Sequence, residues 1–226
     1  MKRTNLLLIL MLASSMLFSS CTIEEKVADY SNEAVIGSAA ENSAVVSELS
    51  DIIYALTVDS VILPEFNNTS TAIAKCGDAL LNHLLTTNYS RFSGSTEVLK
   101  EAAKEYPHLS ISAAIGERDF EGALYKYFNH GGNIRHGDLS RFRYLTKIKA
   151  YIPAVRSIAN TFTLDIVYLE ETNNTYRMTF YCTNGEEVSP EYYAVFVKRS
   201  NGGCYIQSLM QVASEKVSYV LPEAFS

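Results

Sequence analysis

Cysteine is scarce in this chain and unpatterned: the 226 residues hold 4, with no Cys-x-x-Cys pair and no Cys/His spacing of the kind that binds zinc. Basic blocks are absent too. The formal charge is −6, and no run of Lys or Arg offers the electrostatic footprint that nucleic acid or an anionic lipid surface requires, so nucleic acid is excluded as an expected partner. Beyond the first twenty residues no apolar run approaches the length of a membrane span. The sequence also lacks a nucleophile elbow, a Ser-x-x-Lys pair, a Walker loop, a His-Glu-x-x-His helix and a dinucleotide fingerprint. Those absences remove each specific reason to assert catalysis, and no cofactor or metal is implied.

What is present begins at the N-terminus. Lys2 and Arg3 precede an unbroken apolar run over residues 6–13, and small residues follow. This is the layout of a secretory signal: a basic start, an apolar stretch too short to span comfortably, then a processing region. The segment Leu17-Phe18-Ser19-Ser20-Cys21 resembles a bacterial lipobox, in which the cysteine is lipidated and becomes the mature N-terminus. Ordinary signal cleavage before Cys21 would want a small residue where Phe18 stands. The resemblance implies residues 1–20 as a lipoprotein signal peptide and Cys21 as the lipidation site. The protein would then be held outside the cytoplasm on a membrane of the cell envelope, with two acyl chains giving firm anchorage. Glu24 and Glu25 resemble a short acidic export signal of some surface lipoproteins, but the match is two residues and a charged, solvated linker is the better explanation. Loss of Lys2 and Arg3 takes the formal charge from −6 to −8.

Residues 21–43 carry no sustained apolar period and read as a flexible tether. Residues 44–226 read as a single α+β domain, and a hydrophobic content of 47% suffices for one packed core there. Val45, Leu49, Ile52, Ile53 and Leu56 recur at helical spacing, and Ile73, Cys76, Leu80, Leu81, Leu84 and Leu85 make a broader stripe. A third helix is expected over residues 96–106, with Ser95 as its cap and Pro107 as its stop. A fourth is expected over 118–129, ended by Gly131 and Gly132. Residues 139–160 alternate basic and apolar positions at near-helical spacing, so the helical region extends to about 160, with Pro153 ending or kinking it.

From residue 161 the period becomes two. Phe162, Leu164, Ile166 and Tyr168 alternate with Thr163, Asp165, Val167 and Leu169; three further strands follow to residue 212, the last pair joined at Asn201-Gly202. Helices packed on a C-terminal sheet of four antiparallel strands is an α+β order. Cys182 and Cys204 fall at opposite ends of such a meander, beyond bridging distance, so Cys76, Cys182 and Cys204 are expected as buried or half-buried thiols.

The run Tyr176-Arg177-Met178-Thr179-Phe180-Tyr181 followed by Tyr192-Tyr193-Ala194-Val195-Phe196-Val197 resembles the bent sheet of the NTF2-like (cystatin-like α+β) superfamily, and Gly116-Glu117-Arg118-Asp119-Phe120-Glu121-Gly122-Ala123-Leu124 resembles one of its helices. The resemblance implies helices covering the concave face of the sheet around a pocket. Its members include isomerases, dehydratases, binding proteins and assembly scaffolds, so it does not select one function.

Two constellations are candidates for ligand binding. The loop Asn129-His130-Gly131-Gly132-Asn133-Ile134-Arg135-His136-Gly137-Asp138 places His130, His136 and Asp138 among glycines that let backbone amides approach an anion. The same residues also suit a helix C-cap, a turn and an Asp138 cap for a following helix. Asp165 would serve as a general base only if its face lined an enclosed pocket; alternation puts it outward. Fifteen tyrosines stand against no tryptophan, and Tyr176, Tyr181, Tyr192, Tyr193 and Tyr205 are candidates for an adhesive face, although strand propensity also favours tyrosine there. Arg135, Arg141, Arg143, Lys147, Lys149 and Arg156 form a basic cluster that reads as the wet face of a helix or a patch for an acidic glycan or partner.

These features lead to a lipid-anchored envelope protein whose α+β domain binds a ligand or partner without catalysis. The alternatives are a small-pocket NTF2-like enzyme of the isomerase or hydrolase type, and an assembly or inhibitor protein for another envelope protein.

Overall fold

Helix α1, Ser43–Tyr54, sets Leu49, Ile52 and Ile53 on one face, and all three are buried. The structure is a computed structural model and describes residues 43–212 apart from 95 and 133. The expected signal peptide, Cys21 and the expected tether up to residue 42 lie outside the described residues, and Ser43 belongs to α1. Helix α2, Thr69–Thr87, is the central helix: Ala72, Cys76, Leu80, Leu81 and Leu85 are buried along it. Asn68 starts it by accepting a hydrogen bond from the Thr71 N–H, which satisfies one of the donors a helix N-terminus leaves open.

A four-residue turn, α3 (Tyr89–Phe92), leads to α4, Glu97–Glu105. Its cap is Thr96, one residue later than the expected Ser95: the Thr96 hydroxyl accepts from the Leu99 N–H. A two-residue strand β1, Ile115–Gly116, opens directly into α5, Glu117–Phe128. Asn129 ends α5 in the left-handed conformation at φ 55, so the stop comes before the glycines expected to supply it.

Residues 139–160 are not helical. They form a hairpin of β2, Phe142–Leu145, and β3, Ala150–Pro153, which joins β1 in a three-stranded antiparallel sheet ordered β1-β3-β2. Phe142, Leu145, Ile148 and Ile152 are buried at intervals of three and four, which reads as a helical stripe. Each strand has only four residues, and Ala150, Tyr151 and Ile152 are all buried, so no two-residue alternation shows. The helical region therefore ends with α5, and the basic cluster lies around a β-hairpin.

The main sheet comprises β4 (Thr163–Glu171), β5 (Thr175–Asn184), β7 (Tyr192–Lys198) and β8 (Cys204–Gln211) in that spatial order, with the short β6 (Glu187–Val188) paired to the end of β5. All pairs are antiparallel and the sheet is open. Its inner face carries Met178, Phe180, Cys182, Tyr192, Ala194, Phe196, Ile206 and Leu209, which form one core with the buried faces of α1, α2 and α5. Phe66 bridges Leu209 through two backbone hydrogen bonds of 2.8 Å and covers part of the β8 edge.

The β4–β5 register shifts between Ile166 and Tyr168. An extra residue on one strand reverses which side chains face inward. Leu169 is consequently buried and Tyr168 stands on the opposite face, the reverse of the simple alternation expected from the sequence. Cys76, Cys182 and Cys204 are buried free thiols.

Candidate functional site

The loop after α5 does not gather its polar residues into one site. His136 turns inward to the β2–β3 hairpin, its Nδ1 3.0 Å from the Tyr151 hydroxyl and its Nε2 3.1 Å from Glu121 Oε1. Each ring nitrogen is thereby within hydrogen-bond distance of one side chain. The ring stacks on Tyr144 with centroids 5.3 Å apart. Tyr144 in turn donates to Glu117 at 2.8 Å, and Lys149 stands 3.4 Å from the other Glu117 oxygen. That Tyr144 hydrogen bond is the main influence holding the Glu117 carboxyl below its ordinary range, and burial pushes both Tyr144 and Tyr151 up to about 12. With both ring nitrogens engaged, His136 ties α5 to the small sheet.

His130 folds beneath Gly132, and its Nε2 is buried without a hydrogen-bond partner among the described residues. Asp138 is exposed and accepts from the Tyr144 N–H at 2.8 Å, bracing a turn where the sequence suggests a helix cap. Asp165 is exposed on the main sheet and accepts from the Thr183 hydroxyl at 2.8 Å. The four candidates thus stand in separate surroundings. Among the described residues no cluster of three or more His, Cys, Asp or Glu side chains has the arrangement to hold a metal ion.

A second polar network escapes sequence reading altogether. Asp51, His83, Lys126 and Tyr127 meet where α1, α2 and α5 converge. The hydrogen bond from His83 is the largest of the effects that drive the Asp51 carboxyl far below its ordinary range, and burial raises Tyr127 to about 12. His83 is a core-edge residue here, as its helical neighbours suggest.

The candidate tyrosines divide between the two faces of the sheet. Tyr192 is 1% exposed on the inner face, its hydroxyl accepting from the Leu63 N–H at 3.0 Å. Tyr176 also faces inward, packed against the core beneath the Lys198 ammonium at 4.5 Å. Tyr181, Tyr193 and Tyr205 lie on the outer face, half-buried, where Tyr168 joins them because of the bulge in β4. One cross-strand row there runs Tyr168, Thr179, Tyr193, Met210 through all four long strands. Val195 and Val197 flank it half-buried, while Val167 and Met210 are 40% and 42% exposed. Such a row offers amphipathic contact area that loses little side-chain freedom on binding. Acidic groups border it: Glu191 beside the Tyr181 hydroxyl at 3.3 Å, Glu170 paired with Arg177, and Asp165.

No family model, curated protein or solved structure matches the chain. Its own geometry is therefore the ground for a functional reading. Among the described helices none is long and apolar enough to cross a membrane. Three of the six basic side chains of the 135–156 cluster are engaged: Lys147 pairs with Glu105, Lys149 with Glu117, and Arg141 reaches the Arg156 carbonyl.

Proposed function

We propose that this is a lipid-anchored protein of a bacterial cell envelope, attached through Cys21, whose α+β domain binds an envelope protein partner without catalysis. The observation that supports this best is the tyrosine and aliphatic row on the outer face of the main sheet, opposite the face on which the helices pack. Half-exposed aromatics in a contiguous patch mark interaction surfaces on soluble domains. The acidic border would select a partner carrying complementary basic groups at its rim.

An NTF2-like reading of the domain accords with helices packed on one face of an open antiparallel sheet. The assembly or inhibitor role is a form of the same reading. The anchor would keep the domain at the membrane surface, raising its effective concentration for a partner held in the same envelope. An enzymatic role would require an inward carboxylate or histidine lining an enclosed cavity.

The test has two arms. Metabolic labelling with an alkyne fatty acid should tag the wild-type chain and not Cys21→Ser. Purification of the tagged full chain from membranes should bring down one stoichiometric protein that Tyr193→Glu loses while remaining folded by circular dichroism. Equal recovery of the partner by Tyr193→Glu would overturn the sheet-face reading.

A further inference from the structure

A groove of about 390 Å³ opens at the end of the sheet, where the β7–β8 hairpin meets the C-terminus of α5. It borders the outer face at Val197 and Tyr205 and does not include Tyr193. Arg199 is its central side chain. One guanidinium nitrogen donates to Asn129 Oδ1 at 2.8 Å, and the other reaches the Tyr125 and Lys126 carbonyls at 2.6 and 3.1 Å. The Tyr125 carbonyl also accepts from the Asn129 N–H, so these bonds reinforce the end of α5 and hold the guanidinium in place. The plate lies between two tyrosine rings, 4.7 Å from the Tyr125 centroid and 5.0 Å from the Tyr205 centroid. Asn129, Ser200 and Asn201 add polar groups to the wall, Lys198 in it is paired with Glu171, and Tyr125 is 51% exposed.

We infer that this groove is a binding site for an acidic carbohydrate, a sugar unit bearing a carboxylate. Arg199 covers one face of the Tyr125 ring, and the rest of that 51% exposed ring is left to take the C–H side of a pyranose. The amides of Asn129 and Asn201 and the Ser200 hydroxyl both donate and accept, which suits a ligand covered in hydroxyl groups. Arg199 makes no ion pair with a carboxylate among the described residues, so its charge is available to one on the ligand. The volume falls within the range of small-molecule sites, about 300–1,000 Å³.

The same geometry disfavours a compact phosphate. The groove sits at the carbonyl end of α5, where the helix dipole is negative, whereas phosphates seek the N–H end. A sugar acid carries a single charge, which meets Arg199, where phosphate would bring more negative charge to the same helix end.

The experiment is calorimetric titration of the full mature chain in detergent micelles with digalacturonate, cellobiose and inorganic phosphate. Digalacturonate should bind saturably and at least about tenfold more tightly than cellobiose, the equivalent of about 1.4 kcal/mol. Tyr125→Ala and Arg199→Lys should each weaken it by a similar factor. Because Tyr125 is half exposed, its variant keeps the fold and decides the matter should Arg199→Lys unfold. No saturable binding of digalacturonate, equal binding of cellobiose or phosphate, or indifference to Tyr125→Ala would each overturn the assignment. Any of those results leaves the protein-binding reading standing, since Tyr193→Glu lies outside the groove.

Discussion

Tyr127 on α5 and Asp51 on α1 stand 76 positions apart, yet the Tyr127 hydroxyl donates to the Asp51 carboxylate at 2.9 Å. His83 Nε2 lies 3.1 Å from the other Asp51 oxygen, and Lys126 reaches both the carboxylate and the tyrosine oxygen at 3.0 Å. One partly exposed carboxylate thereby fastens three helices to one another.

Asp51→Asn should lower the unfolding free energy at neutral pH by about 1 kcal/mol, the scale of charged hydrogen bonds discounted for solvent screening. The folded state depresses the Asp51 pKa below its ordinary 3.8, so its stabilising contribution is complete above that value and is lost as pH falls through the folded value. Urea unfolding of both proteins from pH 7 downward should show a constant difference until about pH 4 and a shrinking one below it.

Tyr192 and Tyr193 are neighbours in sequence with opposite roles. Tyr192→Phe removes the hydroxyl that pairs with the Leu63 N–H and leaves that buried donor unsatisfied. It should cost about 1–3 kcal/mol and lower the urea midpoint without changing the slope. Tyr193→Ala should shift stability by less than Tyr192→Phe does and instead weaken partner binding, read by the amount of partner retained on the immobilised chain.

Burial pushes the thiols of Cys76, Cys182 and Cys204 up to about 12, so none is a thiolate at neutral pH. The native chain should resist a thiol reagent at pH 8 and react at three positions once denatured. A fourth reactive thiol in mature chain from the native host would show that Cys21 is not lipidated.

The long strands and the two long helices were legible in the sequence because each displays its period over several turns or alternations: Phe180, Cys182 and Met178 against Thr179 and Tyr181, or Leu80, Leu81 and Leu85 along α2. The β2–β3 hairpin was not, since Phe142-Arg143-Tyr144-Leu145 is too short to carry a period and the first three residues of β3 are all buried. The shift after Ile166 has no local sequence signal, and it decides that Tyr168 joins the outer row. Alternation alone could have separated Tyr192 from Tyr193.

The sites assembled across distance were the least readable. Arg199 meets Tyr125 across 74 positions, and Asp51 meets Lys126 across 75. Nothing in either neighbourhood names the other; only the packing of α5 across the end of the sheet brings them together. The loop of His130, His136 and Asp138 shows the converse, since proximity in sequence did not yield a common site.

The central claim is tested most directly by placing a photo-crosslinking residue at Tyr193, at Met210 and, as a control, at exposed Lys104 on α4, then irradiating living cells of the native host. Tyr193 and Met210 should each give a covalent adduct of the same single mass, and Lys104 none. Adducts from Lys104 as strong as those from the sheet, or none from either sheet position, would contradict a partner-binding outer face.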